Sequence, residues 1–245
     1  SGWNRYRSNQ ASIVSGNAGK IWKSTDAGAT WTVLTNGLPS DPQGRVGISM
    51  FTPNPDTLYA LYVGTDSELE GIYRTFNGGD SWTSVPTVAN GVSASALGGF
   101  GWYFSQIRVS PYNDDEITVI GVESFSSFDG GNTWQKCVPD WFSYVVHADG
   151  HDMLYLDSTT VLLATDGGLY RNPSMGNINT WTDIDNIANM QFYRIAVNPH
   201  QSGVYAAGAQ DNGTWLGNAA NLSWTKLLGG DGFQPIFDPL NSNLW

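Results

Sequence analysis

The pattern of apolar and polar positions predicts strands from one end of the chain to the other. Short apolar runs at Val46–Met50, 103–109, 153–156, 193–197 and 233–237 stand between clusters of Gly, Pro, Asn and Asp. No stretch carries helical periodicity. Four of the runs lead into Pro or Asp turns: Thr52-Pro53-Asn54-Pro55-Asp56, Ser110-Pro111-Tyr112-Asn113, Asn198-Pro199-His200 and Asp238-Pro239-Leu240. Further strands are expected at Leu58–Val63, 117–122, 161–164 and 204–207. Each pair of strands is followed by a hairpin, so the repeating unit has four strands, A to D.

The hairpin carries the strongest signal in the sequence. Ser24-Thr25-Asp26-Ala27-Gly28-Ala29-Thr30-Trp31 returns as Thr75-Phe76-Asn77-Gly78-Gly79-Asp80-Ser81-Trp82 and as Ser127-Phe128-Asp129-Gly130-Gly131-Asn132-Thr133-Trp134. Looser copies end at Trp181 and Trp224, so the tryptophans follow one another at steps of 51, 52, 47 and 43 residues. A period of about 40–50 residues built from short strands is the mark of propeller blades. Within each copy, Asp26, Asn77 or Asp129 can accept hydrogen bonds from backbone N–H groups ahead of it. Gly28, Gly79 and Gly131 supply positive φ. Trp31, Trp82 and Trp134 are expected to drop into the seam beside the next unit. The motif is architecture and carries no chemistry of its own.

This motif resembles the Asp-box, or bacterial neuraminidase repeat, of sialidases, sortilin-type luminal domains and xyloglucanase-type glycoside hydrolases. The resemblance covers nearly the whole chain and implies an all-β propeller of four-stranded antiparallel blades, about five of them. It does not fix a function, because relatives of this kind include enzymes, receptors and scaffolds. Full units are expected at about 45–86, 102–138, 152–184 and 192–226, with partial blades at 11–34 and 233–245 of a single propeller domain. The two partial blades could combine to close a ring. Trp245 falls inside an expected strand, whose edge would then lie unpaired, and this favours a segment of a larger propeller completed by another polypeptide. The Ser/Ala/Gly-rich stretch 86–101 departs from the rhythm, and its composition suggests a mobile surface loop or a lid.

Charge narrows the partners. Eleven basic residues stand against 22 acidic ones in 245, a net charge of −11. Such a field repels phosphate backbones and anionic membrane surfaces, so no nucleic-acid partner and no membrane insertion are expected. No apolar run approaches the length of a membrane span. Cys137 is the single cysteine, which excludes an intrachain disulfide and a cysteine–zinc cluster; a buried free thiol is expected. Low Lys with abundant Asn, Gly, Ser and Thr points to a secreted or cell-surface protein.

Candidate chemistry gathers where the B strands end. Asp66, Glu123, Asp166 and Asp211 occupy equivalent places, one acid per unit, and are expected to share one face. Each could cap its own turn; together they could bind a hydroxyl-rich sugar, a basic partner or a divalent cation. No cofactor motif is present and no metal site is assigned. Thr165-Asp166-Gly167-Gly168-Leu169-Tyr170-Arg171 resembles the Thr-Asp-x-Gly-Gly-x-Tyr-Arg element of xyloglucanase-type hydrolases, one residue shorter. That resemblance implies a catalytic role for Asp166, with Asp211, Asp149 or Glu123 as the second acid and Asp211 the candidate carried forward. His147-Ala148-Asp149-Gly150-His151-Asp152 is the densest polar cluster and resembles a His-x-Asp-x-His element of the same propellers. His147, Asp149 and His151 are candidate ligand contacts, as are the loop aromatics Trp102, Trp141 and Tyr144. Flat rings beside carboxylates suit a neutral polysaccharide. A sialidase would need three converging Arg, and Arg74 and Arg171 sit instead in equivalent hairpin strands. Non-catalytic recognition of a glycan or protein is the leading expectation. An endo-acting glycoside hydrolase with paired carboxylates and a scaffold within a larger surface assembly are the alternatives.

Overall fold

The computed structural model describes residues 6–7, 12–184, 187 and 190–243, the side chains of residues 6, 7, 12, 13 and 141 excepted. The ring of Trp141 and the whole of Trp245 therefore lie outside the described residues. Two short pairs come first: β1 (Tyr6–Arg7) with β2 (Ser12–Ile13), and the hairpin β3 (Trp22–Lys23) with β4 (Thr32–Val33). Four antiparallel four-stranded sheets follow. Their strands are β5 (Val46–Met50), β6 (Leu58–Val63), β7 (Leu69–Thr75) and β8 (Thr83–Val85); then β9 (Gln106–Ser110), β10 (Asn113–Ile120), β11 (Ser124–Ser127) and β12 (Gln135–Lys136); then β13 (Gly150–Tyr155), β14 (Val161–Thr165), β15 (Gly168–Asn172) and β16 (Thr182–Asp183); and β17 (Phe192–Val197), β18 (Val204–Ala209), β19 (Gly213–Asn218) and β20 (Ser223–Leu228). Within every sheet the strands are neighbours in chain order.

The chain divides into two compact units, residues 1–165 with 169–184, and residues 166–168 with 185–245. In the first four-stranded sheet the second strand is covered on both faces, which is why β6 reads Leu-Tyr-Ala-Leu-Tyr-Val without alternation. Three apolar clusters join its sheets. Ile21 and Leu34 of the β3–β4 hairpin region pack with Val46, Ala60, Tyr62 and Trp82. Leu61, Ile72, Val85, Ile107, Ile117 and Val119 bind the next two sheets together. Ile120, Cys137, Met153, Leu163 and Tyr170 do the same for the third. Cys137 is the expected buried thiol, pushed up to about 12 by desolvation.

The repeated eight residues form the turn that the sequence foretells. Asp129 Oδ1 accepts from Thr133 N at 2.8 Å while its Oδ2 takes the Thr133 hydroxyl at 2.7 Å, and Ser127 Oγ accepts from Gly131 N. Asp26 repeats the scheme with Thr30; Asn77 Oδ1 accepts from Ser81 N in the same way, while its Nδ2 donates to Ser81 Oγ. Gly131 sits at φ +90, and a Cβ there would stand 2.0 Å from Val85 Cγ1. Trp82 and Trp134 correct one expectation: they pack against the preceding blade, not the next. Trp134 Nε1 donates to Pro86 O and Gly131 O, and Trp181 Nε1 to Cys137 O, because each ring folds back over its own turn toward the strand that ended the previous sheet. Trp82 and Trp134 are buried, whereas Trp31 is 59% exposed.

Two further expectations change. The stretch 86–101 is anchored instead of lying free on the surface: Val92, Ala96 and Leu97 are buried in the core, and Ala96 O accepts from Glu123 N. Its glycines serve close approach, since a Cβ on Gly91 would lie 2.5 Å from Trp134 O and one on Gly101 2.6 Å from Ser67 O. Residues 233–237 form no strand. Pro235 removes a ladder donor there, and the segment before it runs across the β18–β19 turn instead.

Candidate functional site

All four acids expected at the B-strand ends lie in turns between second and third strands, but they do different work. Asp66, between β6 and β7, is exposed and accepts from Glu68 N at 3.0 Å, capping its own turn. Glu123, between β10 and β11, accepts from Lys136 Nζ at 2.6 Å, and Lys136 also holds Asp140. Both are engaged locally.

Asp166 and Asp211 belong to the second unit, and one carboxylate oxygen of each lies within 4.8 Å of the other. Backbone and amide contacts fix this approach. Asn212 Nδ2 donates to Asp166 O at 2.9 Å, and Trp215 Nε1 donates to Asn212 O at 2.7 Å. Asp211 adopts φ +58, a left-handed conformation that a turn must impose on a residue with a Cβ. A strap over this turn supplies the constraint. Asp211 N donates to Asp231 Oδ1 at 3.0 Å and Gly232 N to Ala209 O at 2.8 Å. The strap fits only because the strands beneath are bare: a Cβ on Gly208 would meet Phe233 O at 2.0 Å.

The same strap brings Phe233 onto Tyr193, ring centroids 6.3 Å apart and planes 16° from parallel. The rings are 66% and 41% exposed, and the Tyr193 hydroxyl donates to Gln210 Oε1 beside Asp211. Acids and flat apolar faces thus meet at one end of β17 and β18. Two close carboxylates can share a proton, hold a cation through oxygen ligands, or act as an acid and a base. Asp231 and Gln210 are not legible as site residues in the sequence. Their signal is the glycine density of Gly229-Gly230-Asp231-Gly232, which marks a backbone that must pass close to another.

In the first unit the cluster 147–152 is divided among separate tasks. His147 Nδ1 lies 2.9 Å from Ala148 O, and its ring lines a recess of about 10 Å³ with Glu123, Lys136 and Val146. Asp149 turns at φ +65 into β13. Asp152 pairs with Arg108 Nε at 2.7 Å. His151 joins aromatic rings, edge-on to Tyr103 at 5.7 Å and tilted to Phe104 at 5.4 Å. Trp102 is half-buried against Tyr103, 5.6 Å between centroids. Tyr144 stands 87% exposed.

No family model matches the chain. A probable oligoxyloglucan-reducing end-specific xyloglucanase of Neosartorya fischeri is 34% identical over 83 residues, 34% of this chain and 10% of that protein. The crystal structure of the GH74 enzyme of Niastella koreensis superposes with a TM-score of 0.50 at 15% identity, over 93% of this chain and 37% of the enzyme. YCF48 bound to D1 peptide matches with a TM-score of 0.44 at 15% identity, over 88% of this chain and 62% of that one. The chain thus spans well under two thirds of the xyloglucanase and of the GH74 enzyme. The GH74 likeness shows the fold: a β-propeller of four-stranded antiparallel blades.

Proposed function

We propose that this protein recognises a polysaccharide through the strap-bound end of its second unit, as a secreted or cell-surface module. One observation carries the reading: the exposed Tyr193–Phe233 ring pair stands beside the Asp166–Asp211 carboxylate pair. A pyranose lays its C–H face on such rings while carboxylates and amides take its hydroxyls, the usual division of labour in a sugar site. The xyloglucanase similarity makes xyloglucan the first polymer to try. Affinity electrophoresis against a neutral polysaccharide panel tests the reading. Phe233→Ala should weaken binding by roughly tenfold, about 1.4 kcal/mol, while Asp166→Asn leaves it nearly unchanged. Equal retardation of wild type and Phe233→Ala, or none at all, would overturn it.

The nearness of the two carboxylates also suits a second reading, hydrolysis of the same polymer. Retaining glycosidases hold their two carboxyl groups about 5–5.5 Å apart, one protonating the leaving oxygen and the other attacking the anomeric carbon. Asp166 and Asp211 are close enough for such a pair. Reducing-sugar release that disappears in Asp166→Asn would establish this reading over simple recognition.

A further inference from the structure

We propose that Arg45 and the aromatic loop it anchors form a second binding site, one for a carboxylate-bearing sugar such as a uronic acid residue. The site is built from residues of the first unit, and its argument does not depend on the reading above. Arg45 immediately precedes β5, and its carbonyl accepts from Val63 N at 3.1 Å, which ties the residue to the sheet. Its guanidinium donates through Nη1 to Tyr103 O. Among the described residues that is the one hydrogen bond its side chain makes. Arg108 has Asp152, Lys23 has Asp80, and Lys136 has Glu123 and Asp140, but no acid among the described residues pairs with Arg45.

The contrast matters because Arg45 is half-buried, and burial lowers its pKa by stripping water from the charge. A partly desolvated cation without a counter-charge is an uncompensated cost. A guanidinium has five donors in a planar fork, so most of the fork remains to meet a carboxylate side-on through two parallel hydrogen bonds. An anionic ligand would remove the cost that the protein carries alone.

The surroundings select the kind of anion. Tyr103 is 51% exposed, Trp102 leans on it, and His151 meets it edge-on. The loop holding these rings is fixed in advance. Tyr103 N and Phe104 N both donate to Phe100 O at 2.8 Å, and Gly101 N donates to Ser67 O at 2.9 Å. Charge and flat ring faces side by side fit a pyranose carrying a carboxylate, whose ring stacks while its acid group enters the fork. An acidic peptide would use the charge but leave the rings without a flat partner.

The test compares trigalacturonate with its methyl ester by isothermal titration calorimetry. The wild type should bind the acid at least tenfold more tightly than the ester, a comparison that needs no variant. Arg45→Gln should abolish the difference, Arg45→Lys should keep part of it, and Tyr103→Ala should weaken both ligands, with near-ultraviolet circular dichroism confirming the fold. Equal affinity for acid and ester, full retention in Arg45→Gln, or binding of triglutamate in place of trigalacturonate would each overturn the assignment. Phe233→Ala separates the two sites: it should reduce binding of neutral polysaccharide and leave trigalacturonate untouched.

Discussion

A single carboxylate closes the first and third repeated turns, and its titration makes those turns sensitive to acid. In Asp26 and Asp129 the threonine hydroxyl, then the threonine backbone N–H and the Ser24 or Ser127 hydroxyl, hold the carboxyl at about 2 against an ordinary 3.8. All of these groups donate to the ionised form, so protonation loses them. Because the folded value lies below the unfolded one, the contribution is complete above about pH 4 and disappears as pH falls through about 2. Asp157, held at about 2 by Thr159 and Thr160, titrates in the same window. The second turn carries Asn77, which makes the same backbone bond to Ser81 N and gives its own amide to Ser81 Oγ without any titration. The double variant Asp26→Asn, Asp129→Asn should therefore lose little stability at pH 7, since an amide oxygen keeps the backbone bond of each turn. Its urea midpoint should fall less steeply than that of the wild type between pH 4 and 2. A parallel decline in both proteins would show that these turns do not set the acid response.

Among the elements, the connection from β8 to β9 shows best what sequence can and cannot reveal. The repeated turn is legible because its Asp, Gly and Thr act on one another within eight residues. The strands are legible because their burial is written in their own apolar runs. The 86–101 connection reads wrongly because Ser, Ala and Gly look alike whether they move in solvent or fill a narrow seam. Only the approach of Gly121 to Ala96, and of Gly101 to Ser67, decides between these. The strap at Asp231 and Phe233 and the setting of Arg45, with which no acid among the described residues pairs, escape a sequence reading for the same reason: each depends on residues remote in sequence. Asp166 and Asp211 stand out as candidates from their turns alone, whereas their approach to each other needs the strap to become visible. Leu97 is fully buried in the core between the first two sheets. Leu97→Ala should accordingly cost about 2–5 kcal/mol, against less than about 0.5 kcal/mol for Ala94→Ser at an exposed position of the same segment. Equal urea midpoints for the two variants would return the segment to the status of a surface loop.

At the scale of the whole molecule, the net charge of −11 opposes the ligand that Arg45 is proposed to take. The two effects act over different distances and can be separated by salt. Repulsion between the acidic protein and a polyuronate is long-ranged, and the Debye length shrinks from about 30 Å at 0.01 M to about 10 Å at 0.1 M ionic strength. A half-buried guanidinium in direct contact with a carboxylate is screened far less. Association with polygalacturonate should thus speed up severalfold over this range, while dissociation changes little. That is the reverse of the fall in affinity seen when a basic protein meets a polyanion. A neutral xyloglucan should show no trend in either rate. Arg45→Gln should accelerate dissociation at every salt concentration and leave the rising association rate in place, because the field belongs to the whole molecule and the contact to one residue. Biolayer interferometry on immobilised polymer reads both rates. Association that slows with salt in the wild type would mean that a local basic surface, not the acidic field, governs the encounter.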